Sequence, residues 1–176
     1  MLKKILIGLA VVIAIPLIAA IFVKKDYSVE REILINKPKE VVFDYIKHLK
    51  NQDNFSKWAL MDPDMKKTYE GTDGTVGFVA AWESDNDDVG KGAQEILKIA
   101  EGNRVDYELR FFEPFESTAL AYMTTEEIDA NNTKVSWGFS GSMDYPMNLM
   151  MVFMDMEKMI GDDFDEGLKN LKEELE

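Results

Sequence analysis

The chain has 176 residues, enough for one domain with a core of ordinary size. Its first acid is Asp26, and from there onward 16 basic residues face 33 acidic ones, a balance of −17 that repels nucleic acid and anionic lipid headgroups. The absence of cysteine excludes disulfides, thiol nucleophiles and thiolate-held metals, and the single histidine, His48, excludes His-rich metal centres. Neither a cofactor nor a nucleic-acid partner is expected.

Residues 5–23 (ILIGLAVVIAIPLIAAIFV) are apolar or small throughout, with Lys3 and Lys4 before them and Lys24 and Lys25 after. At helical rise this run reaches about 28 Å, close to the hydrocarbon thickness of a bilayer. Pro16 is tolerated in such a helix as a kink. The competing reading is a cleaved signal peptide. Its apolar region is normally shorter and ends at a small-x-small site, which Ala19-Ala20-Ile21-Phe22 matches poorly. Residues 1–25 are therefore expected to be a retained single-pass anchor and residues 26–176 the domain it carries. The balanced lysine pairs leave orientation open, and the short N-terminal tail favours an extracytoplasmic domain.

In residues 27–35, Tyr27, Val29, Arg31, Ile33 and Ile35 alternate with polar residues, which predicts a strand. Asn36 and Pro38 then supply helix-start chemistry, and Val42, Tyr45, Ile46 and Leu49 recur at helical spacing to about Lys50. A second short helix or turn is expected over 51–58. Strands are predicted over 66–70, 75–83, 92–99, 104–112, 116–128 and 134–143, separated by Gly-, Asn- and Asp-rich turns. At the end, Leu149, Phe153, Met156, Ile160, Phe164, Leu168, Leu171 and Leu175 predict one continuous amphipathic helix.

The order of strand, short helices, six-strand meander and long C-terminal helix resembles the helix-grip fold of the SRPBCC (START-like) superfamily. REILINKPKEVVFDYI at 31–46, WALMDP at 58–63, GKG at 90–92, YEL at 107–109 and the terminal helix carry the resemblance. The branch matched is polyketide cyclase/dehydrase-like, and the likeness spans about 27–175. It implies an α+β domain with an antiparallel sheet of about seven strands wrapped around the long helix and an apolar cavity between them. Members bind diverse apolar ligands, so the resemblance specifies fold more closely than function.

Seven of the 11 methionines fall in residues 143–159. A flexible, polarizable helix face suits varied apolar shapes, although the same residues would serve as core filler or as an external contact. Candidate cavity-lining residues are Phe78, Trp82, Tyr107, Leu109, Phe111, Tyr122, Trp137 and Phe139 on the sheet, with Met150, Phe153 and Met154 on the helix; core packing explains the aromatics equally well. Trp58 suits either a pocket mouth or the sheet edge. Arg31, on the apolar face of the first strand, either holds a ligand carboxylate or phosphate or pairs with a neighbouring acid. His48 has no nucleophile or carboxylate at catalytic spacing, and Asp85, Asp87 and Asp88 lack the glycine and glutamate of a calcium loop and form a polar turn.

Three functions follow. The first is a membrane-tethered domain holding an apolar or lipid-like small molecule without turnover. The second is a cyclase- or dehydratase-type enzyme polarising a carbonyl with Tyr107, Tyr122 or Arg31. The third is an interaction module using the methionines against a protein partner that the sequence does not identify.

Overall fold

A computed structural model describes residues 2–176. Helix α1 (Leu2–Ala20) is followed by strand β1 (Asp26–Ile35), then α2 (Lys39–Ile46), a 3-10 turn (Leu49–Asn51), α3 (Gln52–Phe55) and α4 (Lys57–Met61). Strands β2 (Lys66–Glu70), β3 (Val79–Glu83), β4 (Lys91–Ala100), β5 (Arg104–Glu113), β6 (Ser117–Asp129) and β7 (Asn132–Ser142) form the meander. A 3-10 segment (Met147–Val152) and α5 (Met156–Leu175) complete the chain.

All seven strands form one antiparallel sheet in the order β1-β7-β6-β5-β4-β3-β2. The first strand therefore lies at one edge and the second at the other, and α2–α4 carry the chain between those edges. The alternation in β1 places Val29, Arg31 and Ile33 on the face that α5 covers, opposite Phe139, Trp137 and Val135 of β7. Val42, Ile46 and Phe55 close the core against Ile96, Val105, Tyr107 and Met123 from the sheet and Phe164, Leu168 and Leu171 from α5. Helix α5 is pinned at its C-terminal end, where the Glu176 carboxylate accepts the Asn36 backbone N–H at 2.6 Å and Lys172 Nζ donates to the Leu34 carbonyl at 2.8 Å. At mid-length Lys57 ties α4 to it through Asp163 (2.7 Å) and Glu166 (3.1 Å).

Two expected elements are shorter than their patterns. The apolar spacing runs back to Leu149, yet α5 starts after Asp155, whose side chain caps it by accepting the Lys158 backbone N–H at 2.9 Å. A capping carboxylate satisfies an orphan donor that a hydrophobic stripe cannot. Residues 147–152 form a separate 3-10 segment as a result. The strand expected from Thr75 begins at Val79, because Gly74 and Gly77 take positive φ (76° and 85°) and bend the chain out of the ladder.

Among the residues of helix α1 whose side chains are described, 3–9 and 12–19 are exposed, and Ala20 at its end is buried. A soluble core helix of this composition would be covered on at least one face.

Candidate functional site

A cavity of about 340 Å³ lies between the sheet and the layer made by α3, α4 and the first half of α5. That is near the lower end of the range for small-molecule sites, about 300–1,000 Å³. Its inner wall is an aromatic stack: Trp137 lies parallel to Phe164 with centroids 4.4 Å apart, and Trp58 meets Phe164 edge-on at 6.0 Å; behind the wall, the buried Phe55 meets Trp137 edge-on at 5.6 Å. The opposite corner is built by Trp82 and Phe111, edge to face at 6.0 Å. Trp82 is fixed there by donating its indole N–H to the Val89 carbonyl at 3.2 Å. Gly92, beside it on β4, is needed for this placement, since a Cβ there would come within 2.6 Å of both the indole and the Arg110 carbonyl oxygen.

Polar side chains reach the wall from both the helical layer and the sheet. Asp53 accepts the Tyr69 hydroxyl at 3.1 Å and pairs with Lys67 at 3.0 Å, joining α3 to the edge strand β2. Burial, and then the Asp53 charge, push the Tyr69 hydroxyl up to about 12. The Gln52 amide lies beside the Tyr107 hydroxyl, and its contact there acts against the rise that burial causes. Gln94 contributes a second amide to the wall.

Of the residues expected to line a cavity, Trp82, Leu109, Phe111, Trp137 and Phe139 are in the wall. The others lie elsewhere. Phe78 is buried in the core, stacked on Tyr69 with centroids 6.1 Å apart. Tyr107 is also fully buried, and its hydroxyl donates to the Ile46 carbonyl at 3.2 Å. Burial holds that hydroxyl far above the ordinary phenol range. Arg31 pairs with Asp165 at 3.3 Å and donates to the Glu30 carbonyl at 2.9 Å, which is the ion-pair alternative. Tyr122 lies on the other face of the sheet, because the inward set of β6 is Ala119, Ala121 and Met123. There it donates to the Glu30 carboxylate, with the Arg104 guanidinium 3.8 Å above its ring. Met150, Phe153 and Met154 precede α5 and lie outside the cavity.

Sequence reasoning did not select Tyr27, Met156, Gln52, Asp53 and Lys67 as lining. Tyr27 was visible in the β1 alternation and Met156 in the helical spacing. Gln52 and Asp53 belong to a four-residue helix with no periodicity to reveal their direction.

A family model described as polyketide cyclase / dehydrase and lipid transport matches residues 26–176. The chain belongs to this family. Its fold is the helix-grip fold of the SRPBCC (START-like) superfamily. A crystal structure of the major latex-like protein 151 of Panax ginseng superposes with a TM-score of 0.61 at 13% identity, covering 86% of this chain and 99% of that one. Ara h 8.0201 gives 0.59 at 16% identity, covering 85% and 97%. The di-domain ARO/CYC BexL of the BE-7585A biosynthetic pathway gives 0.61 at 12% identity, covering 86% of this chain and 50% of that one. At such identities the likeness carries the fold alone. No curated protein matches the sequence. Family membership makes residues 26–176 a hydrophobic-ligand-binding or polyketide cyclase-like domain, preceded by an apolar helix of membrane-span or signal-sequence character.

Proposed function

We propose that the chain is a membrane-tethered binding protein that holds one apolar, lipid-like molecule in the cavity under α5 and does not transform it. The carrying observation is the cavity itself: about 340 Å³, walled mainly by aromatic and aliphatic side chains. The volume suits a single acyl chain or a compact polycyclic molecule better than a two-chain phospholipid. The tether is α1, whose exposed apolar surface is suited to lipid.

The three side chains expected to polarise a carbonyl do not favour turnover. Arg31 is engaged by Asp165, Tyr107 by Ile46, and Tyr122 is on the far face of the sheet. The test is binding of a fluorescent fatty acid to residues 26–176, a segment whose fold makes up nearly the whole of the ginseng protein. Saturable one-site binding with energy transfer from tryptophan is expected. Partition without saturation would contradict it.

A further inference from the structure

Helix α1 does not end free of the domain. The side chain of Asn148, wholly buried, donates through Nδ2 to the carbonyl of Ala20 at 2.7 Å and to that of Val23 at 3.0 Å. The carbonyls at a helix C-terminus have no intrahelical partners, and here a residue from the far end of the chain supplies them. The Met143 backbone N–H adds a bond to the Lys25 carbonyl at 2.8 Å. Only residues 21–25 separate α1 from β1, a reach of no more than about 20 Å even if fully extended. The clamp shortens it further.

The segment carrying Asn148 is unlike the rest of the domain. Residues 145–154 (YPMNLMMVFM) are ten in succession without a charge, in a chain that is 30% charged. Most of its apolar side chains point outward: Met147, Met150 and Val152 are exposed, and Phe153 is 83% exposed. Ile21 and Phe22, the latter 84% exposed, continue the patch from the end of α1. A monomeric soluble protein rarely leaves such a contiguous apolar surface uncovered.

We propose that residues 145–154 are a second membrane contact, an interfacial segment that lies in the headgroup region of the bilayer that α1 spans; this rests on the reading of α1 as a span. The occupant is lipid rather than protein because the patch is continuous with the helix end and is held to it by hydrogen bonds. Everything at the level of Ala20–Val23 sits where a span of this length meets the headgroups. Its lack of charge fits a zwitterionic surface, which an acidic domain can approach without repulsion. The sheet register places the cavity at this same end of the domain. Asp26 of β1 pairs with Ser142 of β7, and Phe111 of β5 with Ser117 of β6, so the wall residues Tyr27, Phe111 and Met156 belong to strand ends and a helix start on the anchor side. The segment thus holds the ligand cavity against the leaflet in one orientation.

The absence of cysteine allows single-site labelling of the full chain. Phe153→Cys and Val152→Cys, each carrying an environment-sensitive fluorophore, are reconstituted in phosphatidylcholine vesicles, with Asn131→Cys in the β6–β7 turn as a distal control and Ile13→Cys as a reporter of the span. The expected result is quenching by spin-labelled lipid at 153, 152 and 13, several-fold stronger than at 131, with iodide quenching in the reverse order. Lipid quenching at 13 but not at 153 and 152 overturns the inference and leaves the span standing. Protection of 153 and 152 from both quenchers overturns it in favour of a protein partner or a second copy. No lipid quenching at 13 removes the span and the inference together.

Discussion

Gly161 lies directly over the guanidinium of Arg31, and a Cβ at that position would fall on the guanidinium itself. Six residues further along α5, Gly167 faces the Trp137 ring, with a Cβ there 2.9 Å from Cζ3 and 3.4 Å from the Phe55 carbonyl oxygen. Both glycines let α5 approach the sheet, but they meet different neighbours.

The two alanine substitutions therefore diverge. Either one gains about 1 kcal/mol of helix propensity. At Gly161 the obstacle is the end of a flexible side chain whose partly exposed pair with Asp165 is worth about 0–1 kcal/mol, so Gly161→Ala should leave stability nearly unchanged. At Gly167 the obstacle is a ring stacked on Phe164, and overpacking it costs about 1–3 kcal/mol. Gly167→Ala should be the less stable of the two by roughly 1–2 kcal/mol. Urea denaturation of residues 26–176 measures the difference, and equal midpoints would contradict the packing described for α5.

Filling the cavity should abolish binding without unfolding the domain. Ala80, opposite Tyr69 on the edge of the sheet, borders the cavity and has room to grow into it. Ala80→Phe is expected to remove fatty-acid binding while raising or preserving the melting temperature. Phe153→Ala, outside the cavity, should leave binding in the detached domain unchanged. Titration of the fluorescent fatty acid checks both.

The stability of the domain should fail on the alkaline side in a defined window. Burial raises the Tyr107 and Tyr69 hydroxyls, and hydrogen bonds to Asp163 and Glu166 raise Lys57. Each group holds its proton more tightly in the folded chain than in the unfolded one, where phenols and ammonium groups ionise near about pH 10. Their contribution is complete below about pH 10 and is lost as pH rises from there through the folded values. On the acid side the Asn36 N–H holds the Glu176 carboxyl below its usual range, so that contribution is lost only as pH falls through the depressed value. Tyrosinate absorbance followed together with circular dichroism should show Tyr107 ionising only with unfolding. Ionisation of all the tyrosines in an intact fold would contradict its burial.

The sheet was largely legible in the sequence, because period-two alternation needs only one strand to declare its inward face. Trp82, Leu109, Phe111, Trp137 and Phe139 reached the cavity wall on that basis. Tyr122 misled because the inward residues of β6 are smaller than the outward ones; Gly138 on β7 makes the space its ring occupies. The helical stripe misled beyond Asp155, where one capping hydrogen bond outweighs apolar spacing. Arg31 was assigned the right face, but its partner is 134 residues away and invisible to local pattern. Nothing in local sequence announces that Asn148 caps a helix ending at Ala20.

The most direct test of the central claim is native mass spectrometry of residues 26–176 as purified from cells, with organic extraction of the same sample. The account predicts a stoichiometric apolar adduct, one molecule per chain, that disappears in Ala80→Phe. A bare polypeptide mass in both proteins, with nothing recovered on extraction, would contradict a ligand-holding role for the cavity.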